Sequence, residues 1–176
     1  GHYPSYIYRG YKADIWEGGH RVPFLARWPI KIAAGTHSEE TICLTDLLST
    51  CASIVQAELP DTAGEDSYDI LPALLGNSTS EPIREATVHQ AADGSFSIRQ
   101  GRWKLENTPS SGGYGNLSPD EVARQDLPPI QLYDLEADIS ETQNVYAEFP
   151  QVVERLNALL ESYKQRGRST PPAIGR

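Results

Sequence analysis

One amphipathic stripe near the C-terminus constrains the fold more than any other feature of the sequence. Val152, Val153, Leu156, Leu159, Leu160 and Tyr163 recur at helical spacing. Pro150 suits the first turn of a helix and Gly167 suits its end. Ala86 to His89, Ser95 to Arg99 and Trp103 to Leu105 are β-prone runs separated by the turn signals Asp93-Gly94 and Gly101. Ile130 to Leu135 alternates like a strand with one buried face. These pieces predict a small antiparallel sheet with the helix of residues 150–166 over one face.

The first half reads differently. Residues 1–20 are Tyr- and Gly-rich loop, and Val22 to Pro29 is a short apolar run consistent with a buried or near-edge strand. From Asp46 the positions Leu47, Leu48, Cys51, Ile54 and Val55 predict an amphipathic helix with Thr45 or Asp46 at its cap, ending before Pro60. Residues 60–82 read as a connector with one helical turn, and Ser118-Pro119-Asp120-Glu121 as the start of another. Cys43 and Cys51 match neither a redox pair nor a zinc knuckle and are expected to pack as small apolar residues. Apolar residues never run to the ~20 that a membrane helix needs. A net charge of -9 opposes attachment to nucleic acid or anionic lipid. The chain contains no methionine and opens Gly1-His2-Tyr3-Pro4, so it is expected to be a piece of a longer protein.

One stretch is dense in potential chemistry. Tyr8-Arg9-Gly10-Tyr11-Lys12, followed by Trp16-Glu17-Gly18-Gly19-His20-Arg21-Val22-Pro23-Phe24, combines cations with paired glycines. Such a backbone can pass close to a ligand and expose its amides, and an anion is the expected guest. Equally, Arg9 and Arg21 can tie loops down through carbonyls or carboxylates, with Glu17 as a partner. The residues alone leave both readings open.

This stretch resembles the type I sulfatase family, whose members carry a loop of the form R-G-x-K-x-x-x-x-E-G-G-x-R-V-P-F. Arg9, Gly10, Lys12, Glu17, Gly18, Gly19, Arg21, Val22, Pro23 and Phe24 match it. Trp28-Pro29-x-Lys31-Ile32-x-x-Gly35 is similar to the family's W-P-G-K-x-x-x-G turn, with Ile30 in place of the usual Gly. Thr45 to Leu48 is similar to its next helix start, and Gly64 to Ser67 with Leu71 to Gly76 resembles its D-G-x-S-x-x-P-x-L-x-G segment. Ile98 to Leu105 and Leu132 to Asp138 resemble its closing subdomain. The likeness covers nearly the whole chain in order.

The resemblance implies an α/β architecture: residues 1–80 as the end of a large mixed sulfatase domain, residues 81–176 as an antiparallel subdomain with the long helix. It implies a sulfuric ester hydrolase acting on a sulfated carbohydrate or aryl sulfate. Lys12 is then the catalytic residue, contacting the sulfate and the leaving-group oxygen. Arg9, His20 and His2 are expected at the substrate mouth, and Arg21 as a brace. The family's formylglycine arises within a C/S-x-P-x-R motif, which neither Cys43 nor Cys51 fits, and its Asp-rich calcium segments have no counterpart here. Nucleophile and calcium are therefore expected in a missing N-terminal portion, and the isolated chain is expected to be inactive. Likeness to exported sulfatases suggests a periplasmic or secreted location. A phosphoester or phosphonate hydrolase of the same superfamily, or a non-catalytic binding or structural module, are the alternatives. Asn77-Ser78-Thr79 and Asn116-Leu117-Ser118 fit the glycosylation sequon.

Overall fold

The computed structural model describes residues 1–77 and 81–171, so the sequon at Asn77-Ser78-Thr79 falls partly outside the described residues. The architecture is mixed α/β, with a four-stranded antiparallel sheet and a long C-terminal helix packed on it. Contacts group the chain into two compact units, each described by itself. One joins Gly1–Pro23 to Val88–Glu161, and the other joins Phe24–Thr87 to the residues from Ser162 onward.

In the first unit the strands β1 (Thr87–Gln90), β2 (Phe96–Gln100), β3 (Trp103–Glu106) and β4 (Gln131–Asp134) lie in chain order. Gly94, at φ +91°, turns β1 into β2. The register pairs Ile98 with Leu105 and Leu105 with Leu132, all three fully buried on one face. The helix of Pro150–Arg166 buries Leu156 and Leu160, and Asn107 on the sheet side donates to Asn157 of the helix at 3.2 Å. Truncating any of these leucines to Ala costs about 2–5 kcal/mol.

The same register puts Ser97 beside Glu106, Arg99 beside Lys104, Lys104 beside Tyr133 and Glu106 beside Gln131 on the opposite face. Alternation alone predicts that such a face meets water. Instead Ser97, Lys104 and Glu106 are fully buried, and Tyr133 and Gln131 nearly so, beneath the N-terminal loop. Trp16 donates to Gln131 at 3.2 Å, and Lys104 to the Ile15 carbonyl at 2.9 Å. A short helix at Pro119–Arg124 is closed by a capping box between Ser118 and Glu121.

In the second unit the helix Leu47–Val55 forms where expected and stops at Gln56, which adopts a left-handed conformation at φ +56°. Its orientation is the reverse of the sequence reading. Thr50 and Ala52 are buried, whereas Leu47, Leu48, Cys51, Ile54 and Val55 are exposed. The reason is polar. Asp46, fully buried, accepts from the amides of Cys43 (2.7 Å) and Tyr68 (3.0 Å) and pairs with buried Arg84. Thr50 donates to the Asp46 carbonyl at 2.6 Å and accepts from the Ile70 amide at 3.1 Å. A buried ion pair with this many bonds fixes which side of the helix faces inward. The run from Val22 to Pro29, expected as a strand, forms no ladder, and Val22 and Leu25 are exposed. Pro23 contributes no amide donor, and the sheet described above is assembled from residues 87–134.

Candidate functional site

Two glycines shape the loop that carries Lys12. The Gly18 amide donates to the Arg9 carbonyl and the Gly19 amide to that of Trp16, both at 2.8 Å. A Cβ on Gly18 would lie 2.3 Å from the Gly10 carbonyl oxygen, and one on Gly19 2.0 Å from that of Asp14. Only glycine lets Glu17–His20, a single helical turn, fold back this tightly on residues 9–14. The Asp14 carboxylate closes the tip by accepting from the Tyr11 amide at 3.0 Å, and Ala13 takes a left-handed φ of +83°.

Lys12 sits exposed at this tip, and His2 is exposed further upstream. Arg9 and His20 are turned to other partners. The Arg9 guanidinium lies 3.7 Å over the Trp16 ring and donates to the Tyr133 hydroxyl (3.1 Å) and the Glu141 carbonyl (2.8 Å). The His20 ring stacks on His89, with Nε2 3.1 Å from the Ile15 carbonyl oxygen and 3.2 Å from Lys104 Nζ. Arg21 pairs with Glu17 at 3.2 Å and lies over the Tyr8 ring. The loop therefore brings Arg9 and His20 onto the polar face of the sheet and leaves Lys12 and His2 outside it.

Beneath the loop is a charged cluster that the sequence did not reveal. Lys104 Nζ lies 2.7 Å from Glu141, 3.1 Å from Glu106 and 3.2 Å from Glu17. Burial works against the Lys104 charge, but the three carboxylates outweigh it and raise its affinity for the proton. Burial likewise pushes the Glu17 carboxyl up, and Lys104, His20 and Arg99 overcome it and hold the group at about 2. Burial and the Lys104 ammonium hold His20 down at about 4, so its imidazole is neutral at physiological pH. Glu106 goes the other way: burial, with Glu141 adding to it, pushes it well above the ordinary carboxylate range despite Lys104. The local signal for this cluster was the charge pattern Lys104-Leu105-Glu106 inside a β-prone run; what buries it comes from 89 residues upstream.

The calcium and formylglycine implied by the resemblance find no fit here. Among the described residues no group of three or more His, Cys, Asp or Glu side chains is arranged to hold a metal. Where Glu17, Glu106 and Glu141 converge, the Lys104 ammonium stands between them.

No family model matches the chain. Individual proteins do. The chain is 36% identical to an N-acetylgalactosamine-6-O-sulfatase of Bacteroides thetaiotaomicron over 94% of its own length and 32% of the relative's. It is 32% identical to human arylsulfatase A over 84% of its length and 31% of that protein's. A solved structure from a report on glycosaminoglycan metabolism by Bacteroides thetaiotaomicron superimposes with a TM-score of 0.78 at 33% identity, over 94% of this chain and 33% of that one. The chain belongs to the type I sulfatase family of the alkaline phosphatase superfamily. It spans about a third of the length of the relatives it matches.

Proposed function

We propose that this chain is the C-terminal portion of a sulfatase that hydrolyses a sulfate ester of a carbohydrate or aryl alcohol, with Lys12 at the reacting group. The observation that carries the reading is the intact loop from Arg9 to Phe24 within a likeness covering 94% of the chain. The relative named as an N-acetylgalactosamine-6-O-sulfatase favours a sulfated sugar over a simple aryl sulfate. Nucleophile and metal lie in the portion outside this chain, and the whole enzyme works in the periplasm or outside the cell.

The chemistry assigned to this chain is electrostatic. A compact ammonium at the exposed loop tip stabilises charge on the transferring sulfate and on the departing oxygen, where that charge accumulates in the transition state. His2 and Arg9 line the substrate mouth, with His20 behind them. Arg9 adds positive charge there while its inner nitrogen holds the loop to the sheet. Neutral His20 suits a position behind the site, because a second buried cation would compete with Lys104 for the same carboxylates.

Steady-state assays of the full-length enzyme containing this chain decide the reading. The panel is an aryl sulfate, 6-O-sulfated hexosamines, an aryl phosphate and an aryl phosphonate. Turnover of the sulfates above the other two is expected. Preference for phosphate or phosphonate would reassign the enzyme within its superfamily, and turnover of none would leave a binding or structural module.

A further inference from the structure

We propose that Glu141 and Lys104 are positioning residues for sulfate-ester hydrolysis, acting through the loop that presents Lys12. The inference rests on the sulfatase reading above. Lys12 is exposed, so its placement follows from the backbone on either side of it. Both sides converge on Glu141. Its carbonyl accepts from Arg9 at 2.8 Å, three residues before Lys12. One carboxylate oxygen accepts from the Glu17 amide at 2.6 Å, five residues after it. The other accepts from Lys104 at 2.7 Å. Lys104 in turn donates to the Ile15 carbonyl at 2.9 Å, inside the same loop.

The arrangement is over-determined in the way a positioned site requires. Glu141 is fully buried and held at φ +53°, a left-handed conformation that a non-glycine residue keeps only where its surroundings enforce it. Lys104 Nζ donates to the Ile15 carbonyl and to Glu141, and lies within 3.2 Å of Glu106, Glu17 and His20 Nε2. The strands hold Lys104 by pairing it with Arg99 and Tyr133, so the cluster ties the loop to the centre of the sheet. A displacement of about 1 Å in a charged group at the reacting centre can cost ~100-fold in rate, which makes such anchoring consequential for Lys12.

The experiment uses the full-length enzyme and the isosteric variant Glu141→Gln, alone and combined with Lys12→Ala. Glu141→Gln alone is expected to lower kcat by roughly 10–100-fold with a much smaller change in KM, as for the loss of an interaction made in the transition state. In the Lys12→Ala background it is expected to cost less than ~2-fold, because residues acting through one another are not additive. Hydrogen exchange over residues 15–20 should speed up by at least ~10-fold while β2 and β3 keep their protection. Equal losses of kcat in both backgrounds, or unchanged exchange over residues 15–20, overturn the proposal. If Glu141→Gln does not fold, Lys104→Gln is measured in the same way and decides by the same outcomes. Wild-type enzyme without sulfate-ester turnover sinks the sulfatase reading alone, and the exchange result then decides whether Glu141 holds the loop.

Discussion

His20 and His89 stack their imidazoles with centroids 3.6 Å apart and planes inclined by 13°. The first of these rings is neutral across the physiological range, held down at about 4 by burial and by Lys104. An unfolded chain takes up a proton on this side chain near 6.5, and the folded one refuses it until about 4. Stability from this source is complete above 6.5 and is lost as the pH falls through that interval, by about 3 kcal/mol in all. Urea titrations at pH 7.5, 5.5 and 4.5 are expected to show the decline, and His20→Gln to flatten it. An identical slope in the variant would refute the assignment.

Asp46 and Arg84 predict a sharp asymmetry between two substitutions in the second unit. Asp46→Asn leaves Arg84 buried without its counter-charge and weakens the bonds to the Cys43 and Tyr68 amides. A loss of about 3–5 kcal/mol is expected. Leu25→Ser, at a side chain 94% exposed, should change stability by under ~0.5 kcal/mol. Denaturant midpoints of the two variants make the comparison, and a mild Asp46→Asn would show that the pair is not what orients the helix.

Gly19→Ala should distort the loop outright, because its added Cβ would meet the Asp14 carbonyl oxygen at 2.0 Å. Backbone cannot swing aside as a flexible side chain can. Loss of amide protection over residues 9–20 is expected, with the sheet intact. A crystal structure of the variant with an unmoved loop would contradict the steric argument.

Lys12→Ala in the full-length enzyme should lower kcat by roughly 100-fold or more with an unchanged melting temperature, the scale seen when a preorganised electrostatic group is deleted. Lys12→Arg should not restore the rate, since a planar fork cannot place a compact charge at the same point. Near-normal kcat in Lys12→Ala would remove Lys12 from the reaction.

Residues 1–176 alone should not hydrolyse an aryl sulfate above background. Catalytic groups that act as a unit are not replaced by binding. Turnover of the isolated chain that depends on Lys12 would put the chemistry inside it.

Local patterns were legible where one face or one turn decided the outcome. The stripe from Val152 to Tyr163, the Asp93-Gly94 turn and the run from Ile130 to Leu135 read through to the helix, the hairpin and β4, although β4 is buried on both faces rather than one. Reading failed where a distant segment overrode the local signal. Lys104 and Glu106 look like the wet face of a half-buried strand, and only the loop folded over them makes that face an interior. Leu47, Leu48 and Cys51 form a proper apolar stripe, but Asp46 and Thr50 on the other side of the helix decide what is buried. In the candidate site the Gly-rich loop was visible in the sequence, and the groups that brace it were not. Glu141 carries no motif; its role exists only because of what it touches.

The bond between the Glu17 amide and the Glu141 carboxylate also dictates an order of events during synthesis. Its partners are 124 residues apart, so a ribosome working at ~5–20 residues per second delivers the second roughly 6–25 s after the first. Throughout that delay the segment bearing Lys12 lacks its brace, and for most of it also the complete sheet. On a nascent chain it is among the first segments of this sequence to emerge and among the last able to take its final shape.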